Sequence, residues 1–285
     1  MDIRGELLAA GFQRVIALRG ADFGIECRTL LLAICTYEAE TTPCGEGGWI
    51  HPYYPVSQRA YMAAADVTRR AQEAGIGLML RDDIRVKPVF ARLPGFSQGR
   101  NTLSYLEGIG SRFHVQIMTL DEDWAPDLVP EAAHPLHCGD CRACMDACPT
   151  GAIDAEGFHR ERCLRNWQLS GKIAPEPVRA AMGNRLIGCD ECQRCCPHNP
   201  LPTAAANATI PLAELLRAPK EASAALKGVI GANLAIPNRV LAQACLLGGA
   251  QDDLLPLAEH PSEAVREHAR WALARLSQES RADDA

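Results

Sequence analysis

This 285-residue chain has no apolar stretch long enough to cross a bilayer. The longest, around Leu30 to Cys35, falls far short of the ~20 residues a spanning helix needs. Its N-terminus lacks the basic residues, apolar run and small-residue cleavage site that together mark a secretory signal. Positive charge is short as well. Lysine and arginine total 29 against 35 aspartates and glutamates, a net charge of −6, so the whole molecule projects no field that draws in nucleic acid or an anionic membrane. These shortages predict a soluble cytoplasmic protein with no membrane and no DNA partner. Binding to RNA would need a local patch, for which Arg239, Arg266, Arg270 and Arg275 are the candidates. In a reducing compartment, many cysteines point to metal or redox chemistry rather than to a disulfide framework.

Cysteine is what the chain has in excess: thirteen residues, nine of them between 138 and 196. Cys138, Cys141, Cys144 and Cys148, followed by Pro149, are spaced C-x2-C-x2-C-x3-C-P. After an isolated Cys163 come Cys189, Cys192, Cys195 and Cys196, followed by Pro197, a group that contains C-x2-C-x3-C-P. This is the ligand pattern of two [4Fe–4S] clusters, in which three closely spaced cysteines wrap one cluster and the cysteine before proline reaches the other. Cys138, Cys141, Cys144 and Cys196 are therefore expected to hold one cluster, and Cys148, Cys163, Cys189 and Cys192 the second. Cys196 is preferred to Cys195 because it precedes proline, as Cys148 does. A structural zinc site needs only two C-x2-C pairs and leaves the longer run unexplained. Cys27, Cys35, Cys44 and Cys245 are scattered and read as small buried hydrophobes, with Cys44 set apart by its loop position beside Gly45.

Around this wire the chain changes texture. Residues 1–130 mix helical and strand signals: an apolar opening at Leu7, Leu8 and Phe12, β-like runs at Thr29–Cys35 and Phe113–Leu120, and a helix over 58–74 stopped by Gly75. That alternation predicts an α/β domain. Residues 131–205, dense in Gly and Pro, form the cluster domain. Residues 206–285 are Ala- and Leu-rich, with helices begun near Pro237, interrupted at Gly248-Gly249 and Pro261, and resumed through Val265, Ala269, Ala272, Leu273 and Leu276. They are read as a HEAT-like pair that contacts a partner, or as a helical cap over the cluster domain. About 130 residues ahead of two low-potential clusters suggest a second cofactor or a substrate awaiting electrons.

The run from Cys138 to Ile153, then Arg162-Cys163, then Met182 to Cys192 with Cys196-Pro197, closely resembles the epoxyqueuosine reductases. These belong to a group of double-cluster corrinoid proteins related to the reductive dehalogenases. Gly95 to Leu103 and Gly110 to Phe113 resemble the family's glycine-rich segment and the strand entry that follows it, and Val265 to Leu273 resembles its ending. The resemblance implies an N-terminal corrinoid-type domain, a ferredoxin-like double [4Fe–4S] domain and a HEAT-like tail. It also implies a cobalamin beside the cluster of Cys148, Cys163, Cys189 and Cys192, a reductant protein such as a flavodoxin or ferredoxin, and an epoxide-bearing base in tRNA as substrate, with a carboxylic acid as proton donor.

On the resembling positions, Arg100 (where the family has lysine), Asn101 and Trp167 become candidate cobalamin contacts. A simple turn explains Arg100 and Asn101 equally well, and cover over a cluster explains Trp167. Asp83 is the nearest acid to the family's proton donor, displaced by two residues from the position that Arg85 occupies; a solvated acidic pair with Asp82 is the plainer account. His134 and His137 flank the first cysteine and are expected beside the cluster or exposed, and His268 on a helix-packing face. Two alternatives follow from the departures: an electron-transfer protein that has lost its corrinoid, and a reductase of a small molecule.

Overall fold

The computed structural model describes residues 1–38, 47–132, 138–201 and 209–283, with side chains to 279. Cys44, His134 and His137 lie outside the described residues. Nine strands are present among these: β1 (Arg14–Arg19), β2 (Thr29–Thr36), β3 (Gly48–Ile50), β4 (Leu78–Arg81), β5 (Phe96–Gln98), β6 (Ser104–Leu106), β7 (Phe113–Leu120), β8 (Arg185–Ile187) and β9 (Thr209–Ile210). The chain divides into two compact units, each drawn from three separate segments.

The first unit comprises Met1–Ala39, Val56–Ala143 and Gln193–Leu201. Its sheet has the order β1-β2-β7-β4, and every neighbouring pair is antiparallel. The expected alternation of strands and helices is present, but the parallel pairing usual in α/β domains is not. Only nine residues separate β1 from β2, too few for a crossover helix, so they close as an antiparallel pair.

Both faces of this sheet are covered, which is why β2 reads as an unbroken apolar run rather than an alternating one. Leu31, Ala33 and Cys35 face the helices Ile3–Ala9 and Tyr53–Glu73, where Ala60, Ala64, Val67 and Ala71 repeat at helical spacing. Leu30, Leu32 and Ile34 face Val89, Phe90, Leu93 and Phe96, with Phe90 and Phe96 stacked at 4.4 Å. Cys35 sits in this core as a small hydrophobe, and burial pushes its thiol up to about 11. Antiparallel β5 and β6 bracket the Gly99–Leu103 turn beneath the second face.

The second unit comprises Glu40–Pro55, Cys144–Cys192 and Pro202–Ala285. A small sheet of order β8-β3-β9 joins its segments. Its main core is helical: the helices Leu212–Arg217, Pro219–Ile230, Pro237–Leu247 and Glu263–Asp283 bury Leu215, Leu226, Val240, Leu241, Val265 and Ala269 together. Pro237 opens one helix and Gly248 caps it with a φ of 101°, as the breakers in the sequence predict. Between Gly249 and Pro261 lies a four-residue helix, Gln251–Leu254, continued by a 3-10 turn to Glu259.

Two histidine and cysteine expectations are met in this unit. Cys245 is fully buried, its thiol pushed up to about 12 by desolvation. His268 is buried in the helix-packing face, with Nδ1 donating to the Ala242 carbonyl at 2.9 Å and Nε2 accepting from the Ala174 amide at 3.2 Å.

Candidate metal centres

Cys148, Cys163, Cys189 and Cys192 all fall in the second unit. The first sits at the end of a short helical turn, and its sulfur accepts the Ala152 amide N–H at 3.2 Å. Cys163 ends a 3-10 turn and begins the helix Leu164–Trp167. Cys189 follows β8, and Cys192 lies within the helix Glu191–Arg194.

Gln168 ties these segments together. Its Nε2 donates to the Gly188 carbonyl at 3.1 Å and its Oε1 accepts the Gly188 N–H at 2.7 Å, so the chain after Cys163 is stapled to the residue before Cys189. Gly188 has a φ of 100°, and a Cβ there would lie 2.2 Å from the Cβ of His51; only glycine fits.

Burial raises the thiols of Cys163 and Cys189, the latter to about 11, and neighbouring sulfur charge adds to each: Cys148 acts on Cys163, and Cys163 on Cys189. Without a cation these sulfurs stay protonated, and a bound iron cluster would supply the positive charge that favours their thiolate form. No three of these four sulfurs gather within 4.8 Å, whereas a tetrahedral zinc with Zn–S of about 2.3 Å would draw them closer. The wider cube of a [4Fe–4S] cluster suits this donor set. Among the described residues, one group of three metal-ligating side chains does meet that distance, namely Asp154, Glu156 and His159. There Asp154 is already paired with His159 at 2.8 Å and Arg162 at 3.1 Å.

Cys138, Cys141 and Cys196 belong to the first unit, and Cys144 begins the next segment of the second. The Cys141 amide bonds to the Cys138 carbonyl at 2.9 Å, closing the first turn of the motif. Arg100 clamps that turn: its guanidinium donates to the carbonyls of Cys141 at 2.6 Å and Gly139 at 3.0 Å.

The segment bearing Cys196 is braced separately. The Asn199 side chain accepts the Ser111 N–H at 2.7 Å and donates to the Gln193 carbonyl at 2.8 Å. Gln193 donates to the Ser111 carbonyl at 3.1 Å. Gly110 makes room for this, since a Cβ on it would stand 2.3 Å from Asn199 Oδ1. The Tyr105 hydroxyl donates to the Cys196 sulfur at 3.2 Å. A cleft of about 610 Å³ opens beside it, with walls from Phe96, Tyr105, Ile109, His198 and Asn199.

The remaining candidates are placed differently from their sequence roles. Asn101 is buried, with Nδ2 on the Tyr105 hydroxyl at 2.9 Å and Oδ1 taking the Leu103 N–H at 3.2 Å. Trp167 donates its indole N–H to the Glu161 carbonyl at 2.7 Å and packs against the core of Leu164, Ala174, Val178, Met182 and Leu246. Two of the five N–H donors of Arg100 thus reach backbone carbonyls, and the polar groups of Asn101 and Trp167 are engaged within the protein. Asp83 is exposed and forked by Arg81 at 2.7 and 2.6 Å. The Arg81 hydrogen bond pulls its carboxyl down to about 2, which keeps it ionised, the opposite of what a proton donor needs.

Sequence reasoning missed Tyr105, Ser111, Gln168, Gln193 and Asn199. Their partners lie far along the chain, so no local spacing marks them. The Asn-Pro pair after Cys196-Pro197 reads only as a turn.

Residues 137–199 match the family model of a 4Fe-4S double cluster binding domain. The epoxyqueuosine reductase of Pseudomonas aeruginosa is 30% identical to this chain over 241 residues, 78% of this chain and 61% of that one. That of Burkholderia pseudomallei is 40% identical over 117 residues, 38% of this chain and 28% of that one. The chain thus spans between 28% and 61% of the length of these relatives. In fold it is similar to the epoxyqueuosine reductase structure from Streptococcus thermophilus (TM-score 0.73, 16% identity) and to one with an epoxyqueuosine-modified tRNA stem loop (TM-score 0.72, 18% identity). Each of these likenesses covers 95% of this chain and 88% of the other.

Proposed function

We propose that this chain, a relative of the epoxyqueuosine reductases in sequence and in fold, is a reductase that carries electrons through two [4Fe–4S] clusters to an epoxide in a tRNA base. The observation that carries this reading is the double-cluster segment, whose two cysteine sets sit on loops stapled by their own buried polar side chains. Cys138, Cys141, Cys144 and Cys196 hold one cluster; Cys148, Cys163, Cys189 and Cys192 hold the other. Residues 1–130 act as the α/β corrinoid- and substrate-type domain, 131–205 as the ferredoxin-like cluster domain and 206–285 as a HEAT-like helical domain.

Removing the epoxide oxygen takes two electrons and two protons and yields an alkene and water. A flavodoxin or ferredoxin in the cytoplasm supplies the electrons. Cobalamin, the cofactor of the resembling family, supplies a strongly reducing cobalt when bound. Of its candidate contacts, Asn101 is buried with both polar atoms engaged, which leaves the half-buried Arg100 and Trp167 as the side chains that would lie against it. The tRNA base must leave its stack to reach a buried centre, at a cost of a few kcal/mol. Protonation of the leaving oxygen falls to a group other than Asp83, which Arg81 keeps ionised.

The test is an anaerobic assay with reconstituted protein, cobalamin, a chemical reductant and an epoxyqueuosine-bearing tRNA stem loop. Conversion to the alkene that depends on cobalamin supports the reading. With both clusters full and no conversion, the electron-transfer alternative replaces it.

A further inference from the structure

Tyr105 is 3% exposed and Asn101 4% exposed, so their polar groups answer to each other rather than to water. The chain of hydrogen bonds has a fixed direction. The Leu103 N–H occupies Asn101 Oδ1, so the amide nitrogen of Asn101 is the atom that meets the Tyr105 oxygen. With that oxygen already accepting, the phenolic hydrogen is left to point at the Cys196 sulfur, 3.2 Å away. Asn199 and Gln193, bonded to Ser111, hold the Cys196 segment in place from a second side.

We infer that Tyr105 sets the reduction potential of the cluster ligated by Cys196, with Asn101 as the residue that aims its hydroxyl. This rests on the reading of Cys196 as a ligand. Reducing a [4Fe–4S] cluster adds one negative charge, shared onto its thiolates. An O–H dipole aimed at one sulfur stabilises the reduced form more than the oxidised form and raises the potential. Burial of the Tyr105 hydroxyl strengthens the contact, because the local dielectric is lower than that of water. In the second unit the Cys148 sulfur accepts the Ala152 N–H at 3.2 Å and has the Thr150 hydroxyl 3.8 Å away, so the Tyr105 contact acts on the Cys196 cluster alone.

The experiment is a redox titration of the full chain with both clusters, followed by EPR, on the wild type and on Tyr105→Phe, Asn101→Ala and Cys196→Ser, with iron counted in each. Tyr105→Phe is expected to lower one midpoint and leave the other unchanged. The shift corresponds to about a tenfold fall in the reduced-to-oxidised ratio at fixed potential, about 59 mV for a one-electron couple. Asn101→Ala, which frees the hydroxyl to rotate, is expected to shift the same couple the same way by less. Cys196→Ser is expected to lose iron from that cluster alone.

If Cys196→Ser loses iron while both midpoints of Tyr105→Phe and Asn101→Ala stay at the wild-type values, the ligand assignment stands and the inference about Tyr105 is overturned. If Cys196→Ser keeps eight irons, the ligand assignment itself fails and the inference falls with it. Should Tyr105→Phe not fold, the Asn101→Ala midpoint decides alone: a fall supports the inference and an unchanged value overturns it.

Discussion

Single residues in this protein do more by holding charge in place than by offering it. Arg100 and Asp83 carry formal charges, yet one is spent on two carbonyls and the other on Arg81. His268 is the clearest case with a measurable consequence. Burial is the main cause that lowers its pKa below 6.5, and the imidazole is neutral with both nitrogens engaged. The unfolded chain then binds a proton that the folded one refuses. Its contribution to stability is complete above pH 6.5 and is lost as pH falls through that value toward the lower folded pKa. Thermal unfolding of the wild type is expected to weaken more steeply on acidification through this range than that of His268→Asn. Equal slopes would mean that His268 does not titrate against folding. The cysteine ligands are legible in the sequence because cluster binding imposes short-range spacing. Tyr105, Gln168 and Asn199 are not, because each acts on a partner brought near only by folding: Asn199 meets Ser111 across 88 residues and Tyr105 meets Cys196 across 91.

Among the elements, β2 and β7 are readable in advance, the first as an unbroken apolar run from Leu30 to Cys35 and the second by apolar residues at alternate positions. Strands β1 and β4 are shorter and carry arginine at their ends, so periodicity alone does not lift them from their surroundings. The antiparallel order of the sheet was hidden for a different reason: register and direction depend on the length of a connection, not on the residues of the strand. The link from the helix Leu164–Trp167 to Gly188 shows how an element fixes a site. Two hydrogen bonds from Gln168 lock the Cys163 turn to the strand that delivers Cys189. Gly188→Ala forces a Cβ into His51 and is expected to destabilise the protein by about 1–3 kcal/mol. It should also lower the iron content toward that of a single cluster, as read by denaturant unfolding and iron analysis. Wild-type stability with eight irons would show that the close approach at Gly188 is not needed.

For the whole molecule, the sequence conveys its chemistry better than its architecture. Composition suggests three consecutive domains, whereas compactness groups the chain into two units of three segments each, with the Gln193–Leu201 stretch counted alongside the sheet. Such an exchange of segments leaves no mark on local composition. Charge behaves similarly. Of the arginines expected to form an RNA-facing patch, Arg270 pairs with Glu259 and Glu267, Arg275 pairs with Glu279, and Arg266 bonds to the His260 carbonyl. Exposed pairs of this kind are worth about 0–1 kcal/mol, weak enough for a phosphate to displace the carboxylate. Among the described residues no helix is long and apolar enough to cross a membrane. What separates a corrinoid reductase from a bare electron carrier is whether the protein takes up cobalamin. Anaerobic titration of the two-cluster protein with cob(II)alamin, followed by EPR, measures this directly. The account predicts one base-off Co(II) signal per chain; a spectrum identical to free cobalamin, with both clusters full, would contradict it.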